Sequence, residues 1–127
     1  MPLVRIDLIK GRSEAQRQAI GAAVYNAMRS IGVPEDDRFE IIAEHDPANF
    51  LYPRQYLGIE HSNDLVIVQI TFNEGRTTAQ KKALFKAIAE GIRDAAGVRL
   101  NDVFINLVEV KRENWSFGNG VAQYAVP

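Results

Sequence analysis

The chain has 127 residues, of which 46% are hydrophobic and 24% are charged, and it contains no cysteine. This composition is typical of one globular domain over residues 1–127, and it excludes disulfides, thiolate metal sites and cysteine nucleophiles. The net charge of -1 is a poor match to nucleic acid. No apolar run approaches the roughly 20 residues that span a bilayer, and Arg5 and Asp7 interrupt the first apolar stretch. The sequence therefore predicts a cytoplasmic protein with neither nucleic-acid nor membrane partners.

An internal repeat relates the two halves of the chain. The segment GRSEAQ at 11–16 returns as GRTTAQ at 75–80, an offset of 64, and the Gly-Val pair at 32–33 returns at 97–98, an offset of 65. Further equivalent positions keep the second register: Asp37 and Asp102, Phe39 and Phe104, Glu44 and Glu109, Asn49 and Asn114, Phe50 and Trp115. Two units of this length are too short for a solenoid. They are interpreted as halves of one domain, about residues 2–45 and 65–110.

The first half has the pattern strand, helix, strand. Residues 2–9 alternate in part between apolar and polar, which predicts a strand. Ser13 and Gln16 have the spacing of a capping box, so a helix is expected to begin there and to end at Gly32. Residues 38–44 predict a second strand. The helix has one apolar face, formed by residues four apart: Ile20, Val24 and Met28.

The second half repeats this order. Residues 65–72 predict a strand that is apolar on both faces, and a capping box at Thr77 and Gln80 precedes a second helix. Residues 103–110 predict the last strand. The helical apolar face recurs at Leu84, Ile88 and Ile92. The connection 46–63 is expected to be a loop with one turn, and the tail 115–127, which contains two glycines, is expected to form a short hairpin.

These elements predict an α+β fold made of duplicated βαβ units. Parallel strand pairs would combine into one four-stranded sheet with both helices on one face. The uncovered face of this sheet also carries many apolar side chains, and such a face needs a partner. We therefore expect a closed homo-oligomer in which sheets face one another.

Pro2 is the chemical clue in this sequence. A small second residue normally permits removal of the initiator methionine, which would leave Pro2 as a secondary amine. An α-amino group has a reference pKa of about 7.7–8.0, and an apolar pocket lowers the pKa of an amine while a nearby carboxylate raises it. Such a group is suited to general acid or base catalysis near neutral pH. The repeat equivalent of Pro2 is Val66, an ordinary strand residue.

Several motifs together resemble the tautomerase superfamily, and within it the malonate semialdehyde decarboxylase group. They are Pro2, the duplicated βαβ units, DDRF at 36–39 and WSFG at 115–118. The resemblance extends from Pro2 to about Tyr124. It implies a homotrimer with sites near the subunit interfaces, a small oxo-acid substrate, and no metal or organic cofactor.

The resemblance also implies roles for individual residues. Pro2 would be the catalytic amine, Asp37 would assist the chemistry beside it, and Arg76 would bind the substrate carboxylate and polarise the adjacent carbonyl. Trp115 and Phe117 would form walls of the pocket. The structural alternatives stay open: Asp37 mirrors Asp102 in a turn, Arg76 mirrors Arg12, and the two aromatic residues could seal an interface.

One departure from the decarboxylase pattern concerns a second arginine. That pattern has two arginines flanking one residue at the end of the third strand, whereas this chain has Glu74 at the first of the two positions. A second carboxylate-binding group is then missing or is supplied by Arg12, Arg38 or Arg54. Arg38, which follows the aspartate in the first copy alone, is a substrate-binding candidate.

The favoured prediction is a cofactor-free enzyme that interconverts the keto and enol forms of small oxo acids, with possible decarboxylase or hydratase activity. A dehalogenase is disfavoured, because related dehalogenases use a histidine on a helix and His45 and His61 lie outside both predicted helices. The alternative is a trimeric module of the same fold that binds a small acid or a partner without catalysis. An RNA-binding module is less suitable, because the strands lack interleaved aromatic and basic residues.

Overall fold

A computed structural model describes residues 2–125 and contains a four-stranded sheet with two long helices. The elements follow in chain order: β1 Leu3–Ile9, α1 Glu14–Ser30, β2 Phe39–His45, β3 Gln55–Tyr56, β4 Ile59–Glu60, β5 Val66–Asn73, α2 Thr78–Ala96 and β6 Val103–Val110. The order in the large sheet is β2-β1-β5-β6. Strands β1 and β2 are parallel, as are β5 and β6, and the central pair β1 and β5 is antiparallel. The predicted duplicated βαβ fold is confirmed.

Both helices cover the same face of the sheet. Alternate residues of β1 and β5 point into one core with the apolar faces of α1 and α2, which also contact each other. The helices begin where the sequence predicted, since Ser13 and Thr77 each form a complete capping box. Helix α2 ends at Gly97, which has φ +68°, a conformation that glycine adopts without steric cost.

Two predictions about the connections are wrong. Segment 46–63 contains a short 3-10 turn at Pro47–Asn49 and also a two-stranded hairpin, β3 and β4, whereas a loop with one turn was expected. The tail over 115–125 forms turns and contains no strand, so the predicted hairpin is absent from that part of it, and residues 126–127 lie outside the described residues. In both segments the turn residues were recognised. The two strands in 46–63 were missed because strands of two residues leave no hydrophobic pattern in the sequence.

The face of the sheet away from the helices is mixed in character. Exposed apolar side chains lie at its edges, on β2 and β6: Phe39, Ile41, Phe104 and Val108. Its centre is polar, because His45 Nε2 lies 2.6 Å from Asp7 Oδ1 and the Gln69 amide donates to Asn106 Oδ1 at 3.0 Å. Such a face is suited to contact with another subunit, although the oligomeric state stays a prediction. Neither α1 nor α2, nor any shorter helix within 2–125, has the length and apolar character needed to cross a bilayer.

Candidate active site

A cleft of about 220 Å³ lies at the end of the sheet where β1 and β2 begin. Its lining comes from both halves of the chain: Pro2, Leu3, Phe39, Trp115, Ser116 and Phe117. Three of the predicted site residues, Pro2, Trp115 and Phe117, therefore meet in one place. Pro2 is buried and the lining is predominantly apolar. A polar group of a ligand in this cleft would be partly shielded from water, which strengthens its electrostatic interactions.

The aromatic wall of the cleft is held by specific contacts. The Trp115 indole N–H donates to Asn73 Oδ1 at 2.8 Å, which ties the tail to the last residue of β5. The rings of Trp115 and Phe117 stack with centroids 5.6 Å apart, and Tyr124 meets Phe117 edge-on at 4.9 Å. The Phe117 backbone N–H donates to Gln123 Oε1 at 2.9 Å. These contacts fix the orientation of both walls without a strand in the tail.

Asp37 does not line the cleft. It is half-buried and lies two residues before β2, outside the strand pairing. That pairing begins with Leu3 and Phe39, so Asp37 is at the same end of the sheet as Pro2. A direct role beside the Pro2 nitrogen stays a prediction.

Asp102, the repeat equivalent of Asp37, shows what a carboxylate does in this position. It is fully buried, and it accepts the Ser62 backbone N–H at 2.7 Å and the Ser62 hydroxyl at 2.5 Å. Burial raises the pKa of Asp102, but the hydrogen bonds from Ser62 and Arg99 outweigh it, so that the pKa is below its ordinary value. Asp102 therefore binds the chain segment just before β5 as a carboxylate.

The family is shown by comparison with known proteins. A family model described as tautomerase enzyme matches residues 37–118, and a second model with the same description matches residues 2–56. The chain belongs to the tautomerase family. It is 44% identical to the probable tautomerase YusQ of Bacillus subtilis strain 168, over 97% of this chain and 98% of that protein. The predicted enzyme class is confirmed at this level.

Two solved structures are also similar to this tautomerase. FG41 malonate semialdehyde decarboxylase inhibited by 3-bromopropiolate is 40% identical, with a TM-score of 0.88, covering 98% of this chain and 99% of that one. A second malonate semialdehyde decarboxylase, described in terms of decarboxylase and hydratase activities, is 30% identical with a TM-score of 0.88, covering 96% and 95% of the two chains. The resemblance to the decarboxylase group inferred from the motifs is thus confirmed.

Arg76 lies behind the aromatic wall of the cleft. Its guanidinium is 4.4 Å from the centroid of the Phe72 ring, and its Nη1 donates to the Asn73 backbone oxygen at 3.3 Å. Because Asn73 also binds Trp115, one residue connects the guanidinium to the wall. Burial lowers the pKa of Arg76, while the charge of Glu109 raises it. Within residues 2–125 no carboxylate oxygen lies within 4.0 Å of Arg76, so its charge is not neutralised by a direct ion pair.

Arg38 is not brought to the cleft. Its Nε donates to Glu40 Oε1 at 2.8 Å, and its guanidinium stacks 4.6 Å from the centroid of the Tyr25 ring on α1. This ion pair lies on the helix side of the sheet, beside Gly21. Burial raises the pKa of Glu40, although the hydrogen bond and the charge of Arg38 lower it. The substrate-binding role predicted for Arg38 therefore has no support from the geometry of the single chain.

The other candidate groups also lie away from the cleft. Arg12 sits at the far end of β1, where Nη2 donates to the Asp64 backbone oxygen at 2.6 Å. Arg54 directly precedes the β3–β4 hairpin, and neither arginine lines the cleft at Pro2. His45 ends β2 and His61 follows β4, so both lie outside the helices as predicted. Across 2–125 no group of three or more His, Asp or Glu side chains is placed to hold a metal ion.

Two residues of the site were missed by the sequence analysis. Phe39 lines the cleft together with the tail, whereas the sequence analysis named it only as part of the DDRF motif and as the repeat equivalent of Phe104. Asn73 anchors Trp115, and the available signal was a polar residue ending an otherwise apolar strand. Neither position carries an ionisable group, which is why a search for reactive side chains passed over them.

Proposed function

We propose that this tautomerase, after removal of Met1, uses the secondary amine of Pro2 as the acid or base that transfers a proton on small oxo acids. The observation that carries the proposal is that Pro2 is buried in a cleft with an aromatic wall and little polar surface. Because the proline ring cannot swing as a lysine amine does, its nitrogen keeps a fixed position at the start of β1. A fixed, partly desolvated amine is well placed for proton transfer.

Asp37 is proposed to set the protonation state of this amine. The proposal is supported by the position of Asp37 two residues before β2, at the same end of the sheet as Pro2. Asp102 supports the assignment, because the equivalent carboxylate binds N–H and O–H donors of the segment before β5. A carboxylate near an amine favours its protonated form, whereas the apolar wall disfavours it. The balance of these two effects determines which reaction Pro2 performs.

Arg76 is proposed to supply the positive charge that attracts the substrate carboxylate. Arg12 and Arg38 are each engaged with a neighbouring acidic residue, whereas Arg76 forms no ion pair with the acidic side chains of residues 2–125. Its half-buried guanidinium touches Asn73, the residue that anchors the wall, so it lies just behind the cleft. Guanidinium groups bind carboxylates through paired hydrogen bonds, which would orient a small oxo acid toward Pro2.

Three reactions are compatible with these groups. In tautomerisation, neutral Pro2 removes the proton from an enol hydroxyl and delivers it to carbon, so the C=C bond becomes C–H and the C–O bond becomes C=O. In decarboxylation of a 3-oxo acid, the bond to the carboxylate breaks, carbon dioxide leaves, and protonated Pro2 donates a proton to the carbon that keeps the electron pair. In hydration, the oxygen of water bonds to the carbonyl carbon as the C=O π bond breaks, Asp37 accepts the proton that the water loses, and protonated Pro2 donates its proton to the former carbonyl oxygen.

A homotrimer is proposed as the working assembly. The exposed apolar residues Phe39 and Phe104 lie at opposite edges of the sheet face that the helices leave uncovered. Phe39 also lines the cleft, so contact across this face would place the site next to a subunit interface. Burial of such a face in a closed assembly removes it from water.

The test is a pair of assays on the wild type and on Pro2→Ala: ketonisation of phenylenolpyruvate and decarboxylation of malonate semialdehyde. We expect wild type to catalyse at least the first, and Pro2→Ala to lose about 100-fold or more in kcat/KM, as for the loss of a general acid or base. Phe85→Ala is the control, because Phe85 is an exposed aromatic residue on α2 that does not line the cleft. Unchanged activity of Pro2→Ala in both assays would overturn the proposal.

A further inference from the structure

A second cleft lies at the opposite end of the sheet, where β5 and β6 begin. Its volume is about 350 Å³. The residues that line it include Leu51, Tyr52, Tyr56, His61, Ile67 and Phe104. We refer to it below as the distal cleft, and to the cleft at Pro2 as the proximal cleft. The distal cleft contains none of the residues assigned to catalysis.

The internal repeat relates the two clefts. Three distal residues are the repeat equivalents of three proximal ones: Ile67 of Leu3, Phe104 of Phe39 and Tyr52 of Phe117. Each cleft is built from the first residues of both strands of one half and from the chain that follows the last strand of the other half. The distal cleft is therefore a duplicated copy of the proximal one, with the same apolar strand residues and an aromatic residue from the following chain.

The distal cleft lacks the groups for proton transfer. The equivalent of Pro2 is Val66, whose nitrogen is a peptide amide inside the chain and which is fully buried. The equivalent of Asp37 is Asp102, which is occupied by Ser62 and Arg99. No lysine, arginine, aspartate or glutamate is among the residues lining this cleft in the described part of the chain. Because an unpaired carboxylate is costly to bury, the distal cleft disfavours the charged acids that the proximal one would accept.

His61 gives the distal cleft one polar anchor. It is about nine-tenths buried, and its Nδ1 lies 3.2 Å from the Pro53 backbone oxygen. A carbonyl oxygen can only accept, so Nδ1 carries the proton, and in the neutral ring Nε2 is then a hydrogen-bond acceptor. Nε2 has no partner among residues 2–125, and the imidazole lines the cleft. Tyr52, by contrast, already donates its hydroxyl proton to Asn63.

We propose that the distal cleft is a separate, non-catalytic binding site for small neutral planar molecules that carry a hydroxyl group, such as phenols or uncharged enols. The ring of the ligand packs against Phe104 and Ile67, which are cross-strand neighbours, and its hydroxyl donates to His61 Nε2. The site rests on the duplication and on His61, and it is independent of the chemistry at Pro2. Its occupant differs from a substrate of the proximal cleft by lacking a carboxylate.

The probe is phenol, titrated into the full-length protein carrying ¹³C at the histidine Cε1 positions. The chain has two histidines and one tryptophan. We expect the His61 signal to shift and saturate with an affinity of about 1 mM, as is usual for a ligand of this size. His45, which lies on the other side of Phe50 and Tyr52 from His61, is the internal control and should not shift. Trp115 fluorescence, which reports the proximal cleft, should not change. Benzoate should leave His61 unshifted.

A matched pair of variants locates the site. Phe104→Ala should weaken phenol binding about tenfold, because it removes one aromatic wall, whereas Phe39→Ala, its repeat equivalent, should leave binding unchanged. Both side chains are about half exposed, at 46% and 51%, so either truncation is tolerated by the fold. Three results would overturn the proposal. The His61 signal does not shift with phenol, which is also the result expected if a second copy of the chain fills the cleft. Benzoate shifts the His61 signal as much as phenol does, or Phe104→Ala and Phe39→Ala weaken phenol binding to the same extent.

Discussion

The two ends of the central sheet have the same backbone and different chemistry. At one end, where β1 and β2 begin, Pro2 lines the cleft and Asp37 lies two residues before β2. At the other end, Val66 and Asp102 occupy the equivalent positions, and Asp102 serves to fix Ser62. The apolar strand residues of the clefts correspond in both copies. A duplicated scaffold thus keeps its packing in both halves, while the pair to which proton transfer is assigned in our proposal, Pro2 and Asp37, occurs in one half alone.

The largest difference between the two ends is expected from Asp37→Asn. If Asp37 is the group that favours the protonated amine of Pro2, its loss should lower kcat/KM for decarboxylation about 100-fold. The thermal midpoint should stay within about 2 °C of the wild type, because Asp37 is only half-buried. Steady-state kinetics and a melting curve measure both. A fall in stability with full activity would assign Asp37 to the turn alone.

Asp102→Asn is the equivalent variant in the second half, and it is expected to lower stability and to leave activity unchanged. Asp102 is fully buried and accepts two hydrogen bonds from Ser62, so we expect a loss of about 2 kcal/mol in the free energy of unfolding, with kcat/KM unchanged. Because the folded state lowers the pKa of Asp102, its stabilisation is present above the unfolded pKa and is lost as pH falls through the folded pKa. Urea unfolding at pH 7 and in acid should therefore show a difference that shrinks at low pH. A constant difference would contradict this assignment.

Arg76→Gln and Arg12→Gln compare the two arginines that the repeat places in equivalent positions. If Arg76 attracts the substrate carboxylate, its replacement raises KM about tenfold, whereas replacement of Arg12, which binds Asp64, leaves KM unchanged. Tryptophan fluorescence separates this from a structural effect, because Arg76 contacts Asn73, the partner of Trp115. A changed emission spectrum with unchanged KM would assign Arg76 to support of the wall.

Glu40→Gln tests a polar residue that the second half replaces with Ile105. Burial raises the pKa of Glu40, and its Oε2 has no partner among the described atoms. A raised folded pKa means that ionisation destabilises the folded state as pH rises above the unfolded value. The variant should therefore be more stable than the wild type at pH 7, with the difference shrinking toward pH 4. A less stable variant at pH 7 would show that the pair with Arg38 outweighs burial.

The smallest effect is expected from a glycine in each helix. A Cβ on Gly91 in α2 would lie 3.4 Å from Ala23 Cβ, an ordinary contact, so Gly91→Ala should stabilise by up to about 1 kcal/mol through helix propensity. A Cβ on Gly21 in α1 would lie 3.3 Å from both Glu40 Oε1 and Ile42 Cδ1, so Gly21→Ala should gain less. Thermal unfolding of the two variants measures the gain in stability of each. Equal gains would contradict the closer packing around Gly21 than around Gly91.

The sequence was sufficient to predict most of the fold. Capping boxes at Ser13 and Thr77, apolar helix faces and apolar strands each specify a local structure, and the repeat shows that the two halves share one architecture. The hairpin of β3 and β4 was missed because strands of two residues have no periodicity. The turns of the tail are held by side-chain bonds such as Phe117 to Gln123, which leave no pattern in the sequence.

The candidate site could be predicted only in part. Pro2, Trp115 and Phe117 meet as expected, because a strand start and a family motif locate them. Arg38, predicted to bind substrate, pairs with Glu40 and does not line the cleft in the single chain. The Arg38 side chain turns toward Glu40 because Tyr25 and Gly21 of α1 pack beside that pair. Such contacts between distant parts of the chain leave no pattern in the local sequence.

The most direct test of Pro2 as the catalytic amine is the intact mass of the purified protein, with sequencing of its N-terminal peptide. Complete loss of Met1, which exposes the proline nitrogen, is the predicted result, and activity should increase in proportion to the processed fraction across preparations. A fully active protein that retains Met1 would contradict the proposal, because an amide nitrogen has no basic electron pair to offer the substrate.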